Sequence, residues 1–169
     1  MTPAATDFEL IFEALAKARV RYLVVGGVAV VLHGYTRFTA DLDLVVALEP
    51  ENARAAMAAL SSLGYRPRAP VRAVDFADPV IRKQWIEEKG LAVFSLWSDR
   101  FPATEVDVFV EEPMPFEEMA ARGSEMSLHG SPVAVAAIED LILMKEKVGR
   151  PQDLQDAAEL RSIAAMRRT

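Results

Sequence analysis

The stretch Val24-Val25-Gly26-Gly27-Val28-Ala29, followed by Arg37-Phe38-Thr39-Ala40-Asp41-Leu42-Asp43-Leu44-Val45-Val46, decides the fold of this chain. Val20–Val25 is a short β-rich run that stops at Gly26-Gly27, and Val28–His33 then reads as a helix ended by Gly34. Asp41–Leu48 starts as alternating carboxylate and apolar residues and continues apolar, the pattern of a central strand. On a strand, residues i and i+2 share a face. Asp41 and Asp43 would then present their carboxylates side by side, with Cα atoms about 6.6 Å apart. Such a pair repels itself and loses solvation when buried. A divalent cation relieves both costs, and Mg²⁺ commonly takes one or two carboxylates plus substrate phosphates. On these two positions alone, a polar strand end and a metal site fit equally well.

Working outward, the context favours a site. Glycines between a strand and a helix let a ligand approach the backbone closely, and free N–H groups at a helix start suit phosphate oxygens. No Gly-Lys-Ser/Thr follows, so this is not a P-loop, and the next glycine, Gly34, is too far on for a dinucleotide fingerprint. Downstream, Glu105-Val106-Asp107-Val108-Phe109 is another strand with carboxylates at i and i+2. A third carboxylate from this strand, facing the first two, would complete a metal site or accept the proton of an attacking hydroxyl.

The remaining elements follow from periodicity and breakers. Asp7–Ala18 reads as an amphipathic helix with Asp7 placed to cap it, and Pro50–Leu63 as a helix opened by proline and closed by Gly64. Asp78–Lys89 is a helix, while Leu91–Trp97 and Thr104–Val110 are strands. Phe116–Ala121 is a short helix, Glu125–Leu128 and Pro132–Val135 flank a hairpin or bend at His129-Gly130, and Ile138–Lys147 and Pro151–Ile163 are helices. The expected class is α+β (α/β mixed): a mixed β-sheet flanked by helices. Its 169 residues favour one domain over 1–169, with a core over about 20–112 and a helical part over about 136–166.

Composition excludes several classes. There is no cysteine, hence no disulfide or thiolate metal site. His33 and His129 are too few and too far apart in sequence for zinc, and His33 reads as a packed helix end. Trp85 and Trp97 read as packing residues. No apolar stretch is long enough to span a bilayer, and Met1 to Phe12 lacks a signal-peptide pattern. A cytoplasmic protein with no membrane partner is expected. A net charge of −6 argues against coating nucleic acid through overall charge. The densest basic stretch, Arg66, Arg68, Arg72, Arg82, Lys83 and Lys89, reads as a solvated surface or as a local basic patch.

Together these residues resemble the nucleotidyltransferase superfamily, and within it the AbiEii/AbiGii-type toxin branch of minimal nucleotidyltransferases. The branch shows Arg-x-Thr/Ser-x-Asp-x-Asp, matched by Arg37, Thr39, Asp41 and Asp43. A second signature, a helix ending in lysine and then Gly-Arg-x-x-Asp-x-x-Asp, is matched by Lys145, Gly149, Arg150, Asp153 and Asp156. The resemblance spans about Tyr22–Leu160 and implies a nucleotidyltransferase-like fold. It implies Asp41, Asp43 and Asp107 as ligands of Mg²⁺ or Mn²⁺, with NTP as substrate. Gly26 and Gly27 would cradle the triphosphate, Thr39 would contact a phosphate or support the metal site, and Lys145 would neutralise triphosphate charge. Arg37, Arg150, Asp153 and Asp156 are further nucleotide-binding candidates. On the residues alone, Arg150 with Asp153 also fits a helix-surface ion pair, and Asp153 and Asp156 also fit ion pairs with Lys145 or Arg37 that hold helices together. The branch further implies an RNA acceptor, such as a tRNA 3′ end, and a cognate antitoxin, and RNA contact is then expected along the basic stretch Arg66–Lys89. A small-molecule acceptor of the antibiotic type uses the same site, and a non-catalytic nucleotide- or partner-binding module is the third reading.

Overall fold

The computed structural model describes residues 6–169; Met1–Ala5 lie outside the described residues. In chain order the elements are α1 (Asp7–Lys17), β1 (Tyr22–Val25), α2 (Gly26–Leu32), β2 (Leu42–Val46), α3 (Pro50–Ser62), β3 (Arg66–Pro67), a 3₁₀ turn (Ala73–Ala77), α4 (Pro79–Lys89), β4 (Val93–Trp97), β5 (Val106–Phe109), α5 (Phe116–Arg122), β6 (Ser124–Leu128), β7 (Ser131–Val135), α6 (Ile138–Val148) and α7 (Pro151–Arg167). The strands form one mixed sheet in the order β3-β4-β5-β2-β1-β7-β6. β2 and β5 are parallel, as are β1 and β7, and the other neighbours are antiparallel.

Alternation sorts the sheet's two faces. Leu42, Leu44, Phe94, Leu96, Val106 and Val108 point into the core and are at most 1% exposed. Burying one such side chain stabilises the fold by roughly 1.5–3 kcal/mol. The 3₁₀ turn and α4 close this side: Phe76 and Trp85 both stack on Phe94, with ring centroids 5.4 and 5.0 Å away. The opposite face carries Asp43, Asp107, Ser95 and Trp97. There α2 packs on β1 and β2, α6 on α2 and α7 on α6, and Asp107, Ser95 and Trp97 stay half-buried.

Most expected elements form, with local differences that have physical causes. Thr6, not Asp7, caps α1: its hydroxyl accepts from the Glu9 backbone N–H at 3.2 Å, and Glu9 returns the bond to the Thr6 N–H. This is a capping box, which satisfies two end donors at once. α2 begins at Gly26 rather than after Gly27. β2 begins at Leu42, so Asp41 precedes the strand and is exposed. The loop after Gly64 contains β3 and the 3₁₀ turn, neither of which has a periodic signal. His129-Gly130 is the turn of a hairpin pairing Leu128 with Ser131, and both turn residues have positive φ.

Candidate active site

Register brings the carboxylates together. Asp43 on β2 is the direct partner of Asp107 on the parallel strand β5, and Asp107 is the partner of Ser95 on β4. Paired residues share a face, so these three side chains stand in a row. Ser95 donates its hydroxyl to Asp107 at 2.6 Å. Asp41 stands at the open end of the row. No Lys or Arg lies within ion-pair distance of Asp41, Asp43 or Asp107 among the described residues.

The electrostatic consequence is plain. Burial, then the neighbouring charge of Asp107, pushes Asp43 up to about 7, against the partial relief supplied by Lys145. Burial raises Asp107 too, while the Ser95 hydroxyl pulls it back down. Two adjacent carboxylates thus carry repulsion that is only partly relieved. Glu105 is not their equivalent: it lies before β5 and is ion-paired with Arg68.

The glycine turn meets this row directly. Val25 is paired with Asp43, and Gly26 follows with φ +67°. A Cβ on Gly26 would lie 2.1 Å from Asp43 Oδ2, and one on Gly27 would lie 2.5 Å from Thr39 Oγ1. Both positions therefore require glycine on steric grounds, and Gly26 on conformational grounds as well.

The C-terminal helices supply the cations. Lys145 on α6 contacts Asp153 at 3.3 Å and Asp156 at 3.0 Å, and its side chain is 12% exposed. Arg37 donates to Asp156 at 2.9 Å and to its neighbour's carbonyl, that of Phe38, at 3.0 Å. Its Nε is buried without a partner. Arg150 donates to Asp153 through Nε at 2.7 Å and through its backbone N–H at 3.2 Å. Gln152 completes the shell of Asp156 at 2.8 Å. For both aspartates burial acts to raise the pKa, yet the bonds from Arg150 and Lys145 to Asp153, and from Lys145, Arg37 and Gln152 to Asp156, leave them below the ordinary carboxylate value. Asp153 and Asp156 are 1% and 0% exposed and fasten these cations beside the carboxylate row.

The basic stretch expected to meet RNA does not act as one surface. Arg82 is buried and donates to the Phe76 carbonyl, and Lys83 and Lys89 ride on α4, on the core-covering side. Arg66 and Arg68 alone reach the face of the carboxylates, where their guanidinium carbons lie 4.6 and 5.9 Å from the Trp97 ring centre. Ser95 carried only a faint signal in the sequence, the polar member of the alternation Val93, Ser95, Trp97. His33 is packed, as expected: its Nε2–H donates to the Ala136 carbonyl at 2.9 Å, and Arg167 donates to Nδ1 at 3.0 Å. No three His, Asp or Glu side chains are gathered into a ready-made metal cage among the described residues. Nor is any helix among them long and apolar enough to cross a membrane.

The family described as nucleotidyltransferase of unknown function (DUF6036) matches residues 6–165. The chain belongs to this family. Solved structures agree on the fold. The lincosamide antibiotic adenylyltransferase LnuA, lincomycin-bound, is 18% identical with a TM-score of 0.62, over 95% of this chain and 99% of that one. The antibiotic-resistance factor ANT(2″)-Ia in solution is 16% identical with a TM-score of 0.59, over 96% and 82%. ANT(2″)-Ia in complex with adenylyl-2″-tobramycin is 17% identical with a TM-score of 0.54, over 95% and 94%. No curated protein matches the chain by sequence. The DUF6036 nucleotidyltransferase thus has the expected mixed α+β fold; the AbiEii-type branch is not what the family match names.

Proposed function

We propose that the chain transfers a nucleoside monophosphate from an NTP to a hydroxyl of an RNA acceptor, with Asp43 and Asp107 at the reacting centre. The observation that carries this reading is the unneutralised pair Asp43 and Asp107, in register on adjacent strands and against the Gly26 turn. Hard oxygen donors that repel one another suit a divalent ion, and Mg²⁺ completes its shell with water and phosphate oxygens, so no closed cage is required. Asp41, Asp43 and Asp107 would hold Mg²⁺ or Mn²⁺. When bound, the ion supplies positive charge to the phosphate oxygens.

The chain's own residues do the rest. Gly26 and Gly27 leave room for the triphosphate beside the carboxylates, and Thr39 faces the same space. Lys145, held by Asp153 and Asp156, is a fixed positive charge near Asp43 that offsets charge growing on the β- and γ-phosphates. Arg150 adds to that field, and Arg37 ties the loop before Asp41 to α7. Asp107, oriented by Ser95, accepts the proton of the attacking hydroxyl. The acceptor oxygen bonds to the α-phosphorus, the bond from that phosphorus to the bridging oxygen of the β-phosphate breaks, and pyrophosphate leaves with the electron pair.

Arg66 and Arg68, beside Trp97 on the face of the carboxylates, favour an anionic acceptor such as a tRNA 3′ end. A toxin role with a cognate antitoxin rests on the Arg37–Asp43 motif. The fold likeness to LnuA and ANT(2″)-Ia supports a second reading, a small-molecule acceptor of the antibiotic type. Incubation with α-labelled NTPs, Mg²⁺, total RNA and a panel of lincosamides and aminoglycosides separates the two. Label on RNA supports the first, label on a drug the second, and no transfer to any acceptor sinks the enzymatic reading.

A further inference from the structure

A cavity of 770 Å³ opens at the β3 edge of the sheet, outside the carboxylate row. Arg66, Arg72 and Arg100 line it, against a single lining carboxylate, Asp99. In a chain of net charge −6 this is a local reversal of sign. The three guanidinium groups differ in how firmly they are held. Arg72 pairs with Asp75 at 3.0 Å. Arg66 pairs with Asp99 at 3.1 Å, but the side chains are 58% and 77% exposed. Such a pair contributes little in water and yields readily to a stronger anion. Arg100 has no ion pair among the described residues, and its guanidinium lies 5.2 Å from the Phe101 ring centre. Guanidinium groups bind phosphate through paired N–H donors.

One lining residue also reaches the face that carries the carboxylates. Arg66 lies over Trp97, its register partner. Trp97 is two residues along β4 from Ser95, about 6.6 Å at the usual strand rise. Ser95 is bonded to Asp107. The carboxylate face therefore runs as far as Arg66, which also lines the cavity.

We infer that this cavity is an acceptor subsite for phosphate groups, with Arg66 and Arg100 as its ligands and the acceptor's hydroxyl directed toward Asp107. It rests on the nucleotidyl-transfer reading of the carboxylate row. The recognised chemistry is a phosphate on the acceptor, carried by a nucleic-acid strand or by a phosphorylated small molecule.

The test titrates the intact protein with a short labelled single-stranded oligoribonucleotide and with ribose 5-phosphate, in Mg²⁺ at low salt. The expected result is that at least one probe binds the parent, that Arg66→Glu with Arg100→Glu weakens it at least about tenfold, and that Arg66→Lys with Arg100→Lys keeps most of it. Mg²⁺–ATP affinity measured on all three proteins reports folding and the nucleotide half. Binding of the oligonucleotide alone supports a nucleic-acid source, and comparable binding of ribose 5-phosphate supports a small one. Parent-like binding by the double glutamate variant overturns the inference, as does a parent that binds Mg²⁺–ATP but neither probe. A parent that fails to bind Mg²⁺–ATP overturns the reading of the carboxylate row and the subsite with it.

Discussion

Asp43 and Asp107 are direct register partners on the parallel strands β2 and β5, with no cation within ion-pair distance among the described residues. Their proximity is built into the sheet by hydrogen-bond register. On the proposed reading a divalent ion would relieve their repulsion, which is a liability without one.

That liability has a pH dependence. Asp43 titrates near 7 in the folded chain, against an ordinary value of 3.8. Between those values the folded state binds more protons than the unfolded state, so stability falls as pH rises. The contribution is fully present below about pH 4 and is lost as pH climbs through about 7. Asp43→Asn is expected to raise the melting temperature of the metal-free protein at pH 8, by about 1–2 kcal/mol of stability, and to leave it unchanged near pH 4. Thermal melts at the two pH values decide it; equal effects at both would remove the electrostatic explanation.

Mg²⁺ should bind with the opposite dependence, because the ion requires deprotonated carboxylates. Its affinity, followed by calorimetry with a non-hydrolysable NTP, is expected to rise from pH 6 to pH 8 in the parent. Asp43→Asn should abolish most of that rise and reduce transfer on the order of a thousandfold.

Ser95→Ala removes the hydroxyl that stabilises the Asp107 carboxylate. The expected outcome is an acidic limb of the rate–pH profile moved to higher pH, with a loss of roughly three- to tenfold at pH 7. A uniformly lower profile with an unmoved limb would mean that Ser95 is packing only.

Gly26→Ala places a methyl group 2.1 Å from Asp43 Oδ2 at a residue with φ +67°. A loss of about 1–3 kcal/mol is expected, together with loss of Mg²⁺ binding, since Asp43 must move. Gly90→Ala also has positive φ but nothing within 4 Å, so its cost should be confined to backbone strain and leave Mg²⁺ binding intact.

Asp156→Ala leaves Lys145 and Arg37 without their shared buried counter-ion. Removing one member of such a network costs about 3–5 kcal/mol. Because the pKa of Asp156 is depressed, its contribution is fully present above the ordinary carboxylate value and is lost progressively as pH falls below it through the depressed one. Chemical denaturation at pH 7 and pH 3 should show a smaller difference between parent and variant at pH 3.

What the sequence determined by itself is local. The Gly26-Gly27 break, the two strands bearing carboxylates, the proline-opened helices and the Lys145–Asp156 segment are all legible, because side-chain periodicity and backbone breakers act over a few residues. Tertiary structure alone decided what these parts do to one another. It set the register that places Asp43 against Asp107 and Ser95 beside them, moved Asp41 off the strand, and buried Arg82. It also committed Asp153 and Asp156 to Lys145, Arg37 and Arg150. Those outcomes depend on which distant strand pairs with which and on the cost of burying a charge without a partner. Neither is encoded in the spacing of nearby residues.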